Sequence, residues 1–420
     1  MSTDDEYPEA HASDDFDPAA YDDAVRVPPS AIGERTADQL ALDTAVRMGA
    51  LGSAQARVAD GAGSTDDLAT VLWGNSFAVR GAEFVARLEA RVRGDEKPLP
   101  TPWPTLNRAL TGRDTDGGFW PGLHFLVGGT GAGKTQFAMQ CALEAAKRDV
   151  PVLYVNLELA PLDLFARMAA LLTGQKWSKL WNGTETLATE GDPIATLQAL
   201  PFHWIDAARG WDYTKLVPHT EALRLHHNTP KDSPVLVVVD FLQLMGGPKE
   251  AREELRERIT SASYACRTMA RDHSAVVLAV SSIAREHYQK VSVDTGKKKT
   301  LTYNKGTPEE YTKEVDPIRP WDKLPGELVG LGKESGDLEF SADSVLVLCQ
   351  EKWTGTAPPK DGTPVHLAVA KLRAGAGSWV DLRFNGSELT EGSARPTLGT
   401  ALDHDGLYVK NRNDDDPSKV

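Results

Sequence analysis

The sequence predicts an α/β protein, with a mainly parallel, twisted β-sheet flanked by helices and a small helical region before it. Beyond Phe119, short runs rich in Val and Leu, such as VPVLYVNLE and VLVVVDF, alternate with helical stretches. That alternation is typical of a parallel sheet buried on both faces. The glycine-rich segment GGTGAGKT joins one such run, HFLV, to the helical run QFAMQCALEAAK. Near the end, the runs VHLAVAKLR and SWVDLRFNG, separated by AGAG, predict a hairpin.

The composition is that of a globular protein with an acidic beginning. The 420 residues are 41% hydrophobic and 25% charged. Nine acidic residues precede the first Lys or Arg, so of the net charge of -14 the rest of the chain carries -14 + 9 = -5. The overall charge therefore does not exclude a nucleic-acid partner. No run approaches the ~18 apolar residues of a membrane span and no secretory signal is recognisable, which predicts a cytoplasmic protein without a membrane partner.

Changes in composition predict the domain organisation. Residues 1–24 are expected to be a disordered acidic tail, 25–97 a small helical region and linker, 98–390 the main domain and 391–420 a C-terminal tail. The proline-rich cluster PLPTPWPT, 98–105, is interpreted as the linker into the main domain. The three cysteines are isolated in apolar stretches, which indicates core residues in a reducing compartment: Cys141, Cys266 and Cys349.

The glycine-rich segment predicts a phosphate-binding loop. Glycines let backbone N–H groups turn toward phosphate oxygens, and the N-terminus of the following helix adds positive potential. Lys134 is expected to reach the terminal phosphates of ATP, and Thr135 to bind Mg²⁺. The alternative is a glycine-rich turn without a ligand. The predicted nucleotide-binding residues are Gly128, Gly129, Thr130, Gly131, Ala132, Gly133, Lys134, Thr135 and Gln136.

Two carboxylates follow apolar runs at places where hydrolysis would need them. Hydrolysis of ATP requires a carboxylate that anchors the metal and a base that orients the attacking water, both at the carboxyl ends of strands. Asp240 ends VLVVV and is the candidate metal anchor, while Glu158 ends VLYVNL and is the candidate base. The alternatives are a helix-capping or turn aspartate and a surface glutamate that starts a helix.

Several segments together resemble the replicative hexameric helicases of the DnaB type. VNLELAPLDLFARMAALLTG is similar to the family's strand and helix that carry the catalytic glutamate, VVVDFLQLM to its Walker B segment, and KESGDLEFSADSVLVLCQEK to its block between a DNA-side loop and a late strand. AVAKLRAG is similar to the segment that sends a lysine and an arginine into the neighbouring subunit's site. The resemblance runs from about Leu99 to Gly386.

The resemblance implies a RecA-like ATPase domain over residues 98–390 that uses ATP and Mg²⁺ and self-associates into a ring, a hexamer, on single-stranded DNA. It implies that Glu158 is the catalytic glutamate, and that Lys371 and Arg373 act across the subunit interface. A cation supplied across an interface stabilises charge on the γ-phosphoryl oxygens, so hydrolysis would depend on assembly. The alternative for Arg373 is a strand-edge arginine that is paired on the surface.

The sequence departs from the family pattern in three places. Ser282 stands where the family has a glutamine that senses the γ-phosphate, and a hydroxyl has a shorter reach than an amide. The family's N-terminal domain is not recognisable, and residues 25–97 are interpreted as a reduced or unrelated replacement. The glycine-rich loop is closer to RecA-type and KaiC-type ATPases than to replicative helicases.

Residues 285–333 are longer than the family's equivalent loop and rich in lysine. Candidate nucleic-acid contacts here are Arg285, which matches a family arginine, together with Lys297, Lys298, Lys299 and Lys333. Lysines would follow the phosphates of a single strand, and an aromatic among Tyr303, Tyr311 and Trp321 could stack on a base. The alternative is a solvated insertion with no ligand, which for the aromatics is the favoured interpretation.

Two functions of different classes fit these observations. The first is an ATP-hydrolysing ring that translocates on single-stranded DNA, a DNA helicase that could serve DNA replication. The second is a nucleotide-gated assembly or regulatory module without helicase activity, favoured by Ser282 and the missing N-terminal domain. A recombinase-like filament is disfavoured because the block from Lys333 resembles the helicases. Stimulation of ATP hydrolysis by single-stranded DNA distinguishes the first two.

Overall fold

The structure is a computed structural model that describes residues 53–207, 211–248, 254–295, 299–303, 305, 311–315, 319–331, 341–353 and 362–392. Contacts divide the chain into two units, Met1–Glu96 and Lys97–Val420. Among the described residues, no helix has the length and apolar character needed to cross a bilayer.

The first unit is helical over its described part. A helical stretch at 53–59 is followed by α1 (Thr65–Gly74) and α2 (Phe77–Arg93). The Ser64 hydroxyl accepts from the backbone N–H of Asp67, whose carboxylate accepts from the Ser64 N–H, which is a capping box that starts α1. Gly94 takes a left-handed conformation and ends α2. The predicted helical region is therefore present from residue 53, and the rest of it lies outside the described residues.

The second unit is built on a ten-stranded sheet, accompanied by a two-stranded hairpin, in its described part. The strands of the sheet are β1 (Gly122–Gly128), β2 (Val152–Asn156), β3 (Phe202–Asp206), β4 (Val235–Asp240), β5 (Ala275–Ser282), β6 (Ser292–Thr295), β9 (Ser344–Trp353), β10 (Thr363–Leu372), β11 (Ser378–Phe384) and β12 (Leu389–Glu391). The hairpin is formed by β7 (Lys299–Tyr303) and β8 (Tyr311–Val315).

The central part of the sheet is parallel and one side of it is antiparallel. The strand order is β12-β11-β10-β9-β1-β5-β4-β2-β3, and β6 pairs with β9. Every pairing from β9 to β3 is parallel, and the β9–β10–β11–β12 pairings are antiparallel. The carboxyl ends of the parallel strands therefore meet at one edge, where the glycine-rich segment follows β1.

Helices cover both faces of the sheet, so the central strands are apolar at nearly every position. Along β1, Phe125 and Val127 point into one apolar core and Leu126 into the other. The first core contains side chains of α8 (Leu216–His226) and α9 (Leu255–Asp272). The second contains those of α3 (Pro104–Thr111), α4 (Lys134–Lys147) and α5 (Pro161–Thr173). Short helices α6 (Trp177–Trp181) and α7 (Pro193–Ala199) complete the unit.

Several sequence expectations are confirmed by this fold. The α/β class, the flanking helices and the β10–β11 hairpin are all present. The three cysteines are free and buried, as predicted for core residues.

The proline-rich cluster differs from its interpretation as a linker. Leu99 exchanges backbone hydrogen bonds with Phe119, and Trp103 is buried and donates through Nε1 to the carbonyl of Leu389 at 3.0 Å. The cluster is thus packed into the second unit, because its tryptophan finds an apolar pocket and a carbonyl far away in sequence.

The lysine-rich region contains regular structure in its described parts. β6 joins the main sheet, and β7 pairs with β8 in the separate antiparallel hairpin. Trp321 is buried and its ring lies 3.9 Å from the ring of His366. Trp321 is therefore a core residue and not a candidate for base stacking, whereas Tyr311 is exposed.

Candidate active site

The glycine-rich loop lies at the carboxyl edge of the parallel strands, between β1 and α4. Gly131 and Gly133 both have positive φ, 76° and 88°, a conformation that glycine adopts without the steric cost of a Cβ. Gly133 is the N-cap of α4, so the loop turns directly into the helix N-terminus. This is the arrangement in which backbone N–H groups and a helix dipole face an anion.

Lys134 folds its side chain back over the loop. Its ammonium group donates to the carbonyls of Gly128 and Gly129, both at 2.9 Å. Burial lowers the pKa of Lys134, and the nearby carboxylates of Asp240 and Glu158 oppose that shift. The ammonium thus lies within electrostatic reach of both predicted carboxylates, where terminal phosphates would also bring negative charge.

Asp240 ends β4 and is almost completely buried, with 1% of its surface exposed. Its Oδ2 accepts a hydrogen bond from the Tyr154 hydroxyl at 2.7 Å, and the Thr135 side chain lies close enough to lower the pKa of the carboxyl. Burial raises the pKa of Asp240, and the influence of Tyr154 and Thr135 opposes that rise. Its Oδ1 is buried and has no hydrogen-bond partner within the described residues.

That arrangement fits a magnesium ion. Mg²⁺ prefers oxygen ligands and retains several waters, so a hydroxyl beside a carboxylate with one unsatisfied oxygen suits it. Thr135 and Asp240 are the residues that would hold the ion, which would neutralise charge on the phosphates. Gln136, also predicted to contact nucleotide, is buried, and its Nε2 lacks a partner among the described residues.

Glu158 lies in the bend that follows β2, and its side chain is exposed. β2 and β4 are neighbours, with Asn156 paired to Asp240, so the two predicted carboxylates leave adjacent strands. The side-chain amide of Asn156 shapes the bend: it accepts from the backbone N–H of Leu159 at 3.1 Å and donates to the carbonyl of Leu159 at 2.5 Å. The sequence pointed to Glu158 but not to Asn156, which holds the bend.

Two further side chains fix the loop from outside it. Gln350, near the end of β9, donates to the carbonyl of Gly131 at 2.6 Å. The Tyr288 hydroxyl hydrogen-bonds to the Thr130 hydroxyl at 3.0 Å. Sequence reasoning missed both contacts because the partners are 219 and 158 residues apart. Only the strand order could have indicated Gln350, since β9 lies beside β1.

Ser282 pairs with Gly128 across β5 and β1, so it lies beside the first residue of the loop. Its backbone N–H points at the side-chain carbonyl of Gln243, at 3.4 Å, and the amide of Gln243 donates to Ser281 at 2.7 Å. Gln243 belongs to the Walker B segment. The side-chain amide of Gln243 therefore lies beside Ser282, which has no amide of its own in its side chain.

Lys371 and Arg373 lie at the opposite edge of the sheet, beside the amino ends of the parallel strands. Leu372 pairs with Ser344 of β9, which pairs with His124 of β1, four residues before Gly128. At about 3.3 Å per residue and about 4.8 Å per strand, Leu372 is roughly 16 Å from Gly128. Arg373 is half exposed and forms an ion pair with Asp343, Nε to Oδ1 at 3.2 Å. The structure does not bring this pair to the loop of the same chain.

The predicted nucleic-acid residues fall mostly outside what the structure describes. Lys297, Lys298 and Lys333 are outside the described residues. Arg285 begins a short 3₁₀ helix, Arg285–Lys290, and Lys299 begins β7, but their side chains are not among those described. Their contact with DNA stays a prediction.

Comparison with known proteins shows which family part of this chain resembles. Residues 101–295 match the DnaB-like helicase C terminal domain. This part of the chain is similar to the C-terminal domain of DnaB-like helicases. The match includes the glycine-rich loop, Glu158 and Asp240, and over residues 101–295 it confirms the resemblance predicted from the sequence. That similarity supports an ATP-hydrolysing DnaB-like motor.

Solved structures support the fold of this DnaB-like domain. One of them, itself an ATPase domain, is 20% identical with a TM-score of 0.56, over 76% of this chain and 99% of that one. A DnaB-like replicative helicase, solved in a study of its interactions with primase, is 18% identical with a TM-score of 0.54, over 84% and 78%. No sequence among curated proteins matches this chain. The RecA-like α/β fold is therefore confirmed.

Proposed function

We propose that this DnaB-like protein forms a ring, a hexamer, that hydrolyses ATP between neighbouring subunits and translocates along single-stranded DNA. The observation that carries the proposal is the separation of Arg373 and Lys371 from the loop of their own chain. A cation at the far edge can serve only the site of another copy, and such a head-to-tail contact is the kind that closes into rings.

ATP with Mg²⁺ is the proposed nucleotide. Thr135 and Asp240 would hold the metal, Lys134 would neutralise the terminal phosphates, and Glu158 would orient the attacking water. The exposed position of Glu158, beside the buried Asp240, suits a base that meets water. The loop N–H groups from Gly129 to Thr135 would bind the phosphate oxygens.

The helices of the first unit support self-association. They expose several large apolar side chains, of which Phe77 and Val92 are 88% and 83% exposed. Exposed apolar surface of this kind is typical of a protein–protein contact. We propose that α2 packs against a neighbouring copy. The further apolar residues exposed on α1 and α2 are Leu68, Leu72, Trp73, Phe84, Val85 and Leu88.

Coupling of the nucleotide to the DNA side is proposed to run through β5. Ser282 lies beside the loop, and the chain from Arg285 continues into the lysine-rich region. Because Gln243 contacts both Ser281 and Ser282, it is our candidate for the amide that the family carries at position 282. This contact favours the motor over the gated module, for which Ser282 was the main argument.

The deciding measurement is the rate of ATP hydrolysis with and without a single-stranded oligonucleotide, at low and moderate salt. We expect strong stimulation that weakens as salt rises, because phosphate contacts release counterions. Lys134→Ala is the blank for contaminating ATPases. A measurable rate that does not respond to DNA would reject the motor in favour of the gated module.

A further inference from the structure

Three histidines meet where the outer edge strand β3 approaches the end of α8. His203 is the second residue of β3, His226 is the last residue of α8, and His227 follows it. One ring nitrogen from each residue lies within 4.8 Å of the other two. This cluster is separate from the ATP site, because His203 is near the amino end of β3 whereas the glycine-rich loop is at the carboxyl ends of the strands.

The backbone that carries this cluster is held firmly. Arg224, near the end of α8, is 3% exposed. Its guanidinium donates to the carbonyls of Pro230 and Ser233, at 2.7 and 2.8 Å, and to that of His273. His203 is fixed in turn by the parallel pairing of β3 with β2. The three rings are therefore presented by two anchored elements.

The spacing of the nitrogens suits a metal. The Nε2 atoms of His203 and His227 are 2.7 Å apart, so one ring donates a hydrogen bond to the other. A metal about 2.0–2.1 Å from each nitrogen in tetrahedral geometry would separate the nitrogens by roughly 3.4 Å. The observed distances between these nitrogens run from 2.7 Å, for His203 and His227, to at most 4.8 Å. Small rotations of the rings therefore bring the nitrogens to the separation that a metal requires.

The three rings also influence one another electrostatically. Burial lowers the pKa of His203, and the neighbouring His227 and His226 lower it further. Burial and His226 likewise lower the pKa of His227.

We propose that His203, His226 and His227 bind a Zn²⁺ ion that ties the end of α8 to the edge strand. Three imidazoles and no carboxylate favour Zn²⁺ and similar transition-metal ions over Mg²⁺, so the site does not compete for the metal of the nucleotide. His226 is exposed, which leaves a fourth position for water. The ion stabilises β3, the outermost strand on its side of the sheet, where one backbone edge has no strand partner among the described residues.

The test uses the full chain without a polyhistidine tag, stripped of metal. Titration with Zn²⁺ in a calorimeter is expected to give one ion per chain, and Co²⁺ an intense visible absorption typical of tetrahedral coordination. His203→Ala and His226→Ala are each expected to weaken binding by more than about a hundredfold, because loss of outer-shell partners alone costs about 10–100-fold. Since His226 is exposed, its variant is the one expected to fold normally.

His219→Ala is the matched control. His219 lies on the same helix, and its Nδ1 is hydrogen-bonded to the carbonyl of Lys215, outside the cluster. The control should bind Zn²⁺ as the unmodified chain does, and Zn²⁺ should raise the melting temperature of both but not that of His226→Ala. No binding by the unmodified chain, or equal binding by the His226→Ala variant, would overturn the proposal.

Discussion

The two edges of the parallel sheet carry the predicted site residues in very different surroundings. At the carboxyl edge, Lys134, Thr135, Asp240 and Glu158 converge and are linked to their surroundings by several hydrogen bonds. At the opposite edge, Arg373 forms an ion pair with Asp343. Under the proposed function, one chain therefore holds a binding half and a stimulating half that lie too far apart to act on each other.

Removal of the stimulating half is the strongest test of this contrast between the edges. Arg373→Ala is expected to lower the rate of ATP hydrolysis by roughly 10³-fold or more, as loss of an arginine finger does, while nucleotide binding persists. Mixing it with Glu158→Gln should partially restore turnover, because some mixed interfaces combine an intact loop with an intact arginine. Steady-state hydrolysis across mixing ratios measures this. Complexes that assemble but show no restoration would mean that Arg373 does not act across the interface.

Within the binding half, Tyr154→Phe removes a hydroxyl that donates to Asp240. Loss of a hydrogen bond to a buried carboxylate is expected to lower the free energy of unfolding by about 1–3 kcal/mol. Since the Tyr154 hydrogen bond lowers the pKa of Asp240, its loss raises that pKa further. The proposed role of Asp240 requires its ionised carboxylate. On acidification, the variant should therefore lose activity at a pH about half to one unit higher than the unmodified protein does.

The control for this prediction is Tyr264→Phe, an exposed tyrosine on α9. Chemical denaturation and the pH profile of kcat/KM measure the two effects. If Tyr154→Phe leaves the acid limb unchanged, the tyrosine does not tune Asp240.

Gln350→Ala tests the support of the loop by a neighbouring strand. Loss of its 2.6 Å hydrogen bond to Gly131 is expected to raise the KM for ATP about two- to tenfold, since a neutral hydrogen bond contributes about 0.5–1.5 kcal/mol. Initial rates over a range of ATP concentrations measure it. Gln289→Ala, an exposed glutamine, is the control. A fall in kcat with an unchanged KM would place the role of Gln350 elsewhere.

Asp343→Asn tests the support of the arginine at the other edge, with the smallest expected effect. The pair with Arg373 is half exposed, and such pairs contribute about 0–1 kcal/mol, so kcat should fall at most about fivefold. The backbone N–H of Leu123 donates a hydrogen bond to Oδ2 of Asp343 at 2.9 Å, and an asparagine at this position can still accept it. The KM for ATP should stay constant, in contrast to Gln350→Ala. A raised KM with unchanged kcat would contradict a positioning role.

The local parts of this fold were predictable from sequence, and the long-range parts were not. The loop, the carboxylates at strand ends and the β10–β11 hairpin are each encoded by a short pattern, so their chemistry can be deduced without a structure. Gln350, Tyr288 and Asp343 depend on which strands become neighbours. A contact such as that of Trp103 with Leu389, 286 residues away, has no local signal, which is why the cluster around Trp103 was interpreted as a linker.

The position of Arg373 also determines how many working sites an assembly can have. If each site needs the loop of one chain and the arginine of the next, a closed ring has as many complete sites as subunits. Opening the ring at one interface leaves a loop without an arginine on one side and an arginine without a loop on the other. Only the site at that interface then loses its activity. Turnover per subunit would then report on ring closure itself, so entry of a DNA strand through an opened interface would register as a transient loss of hydrolysis.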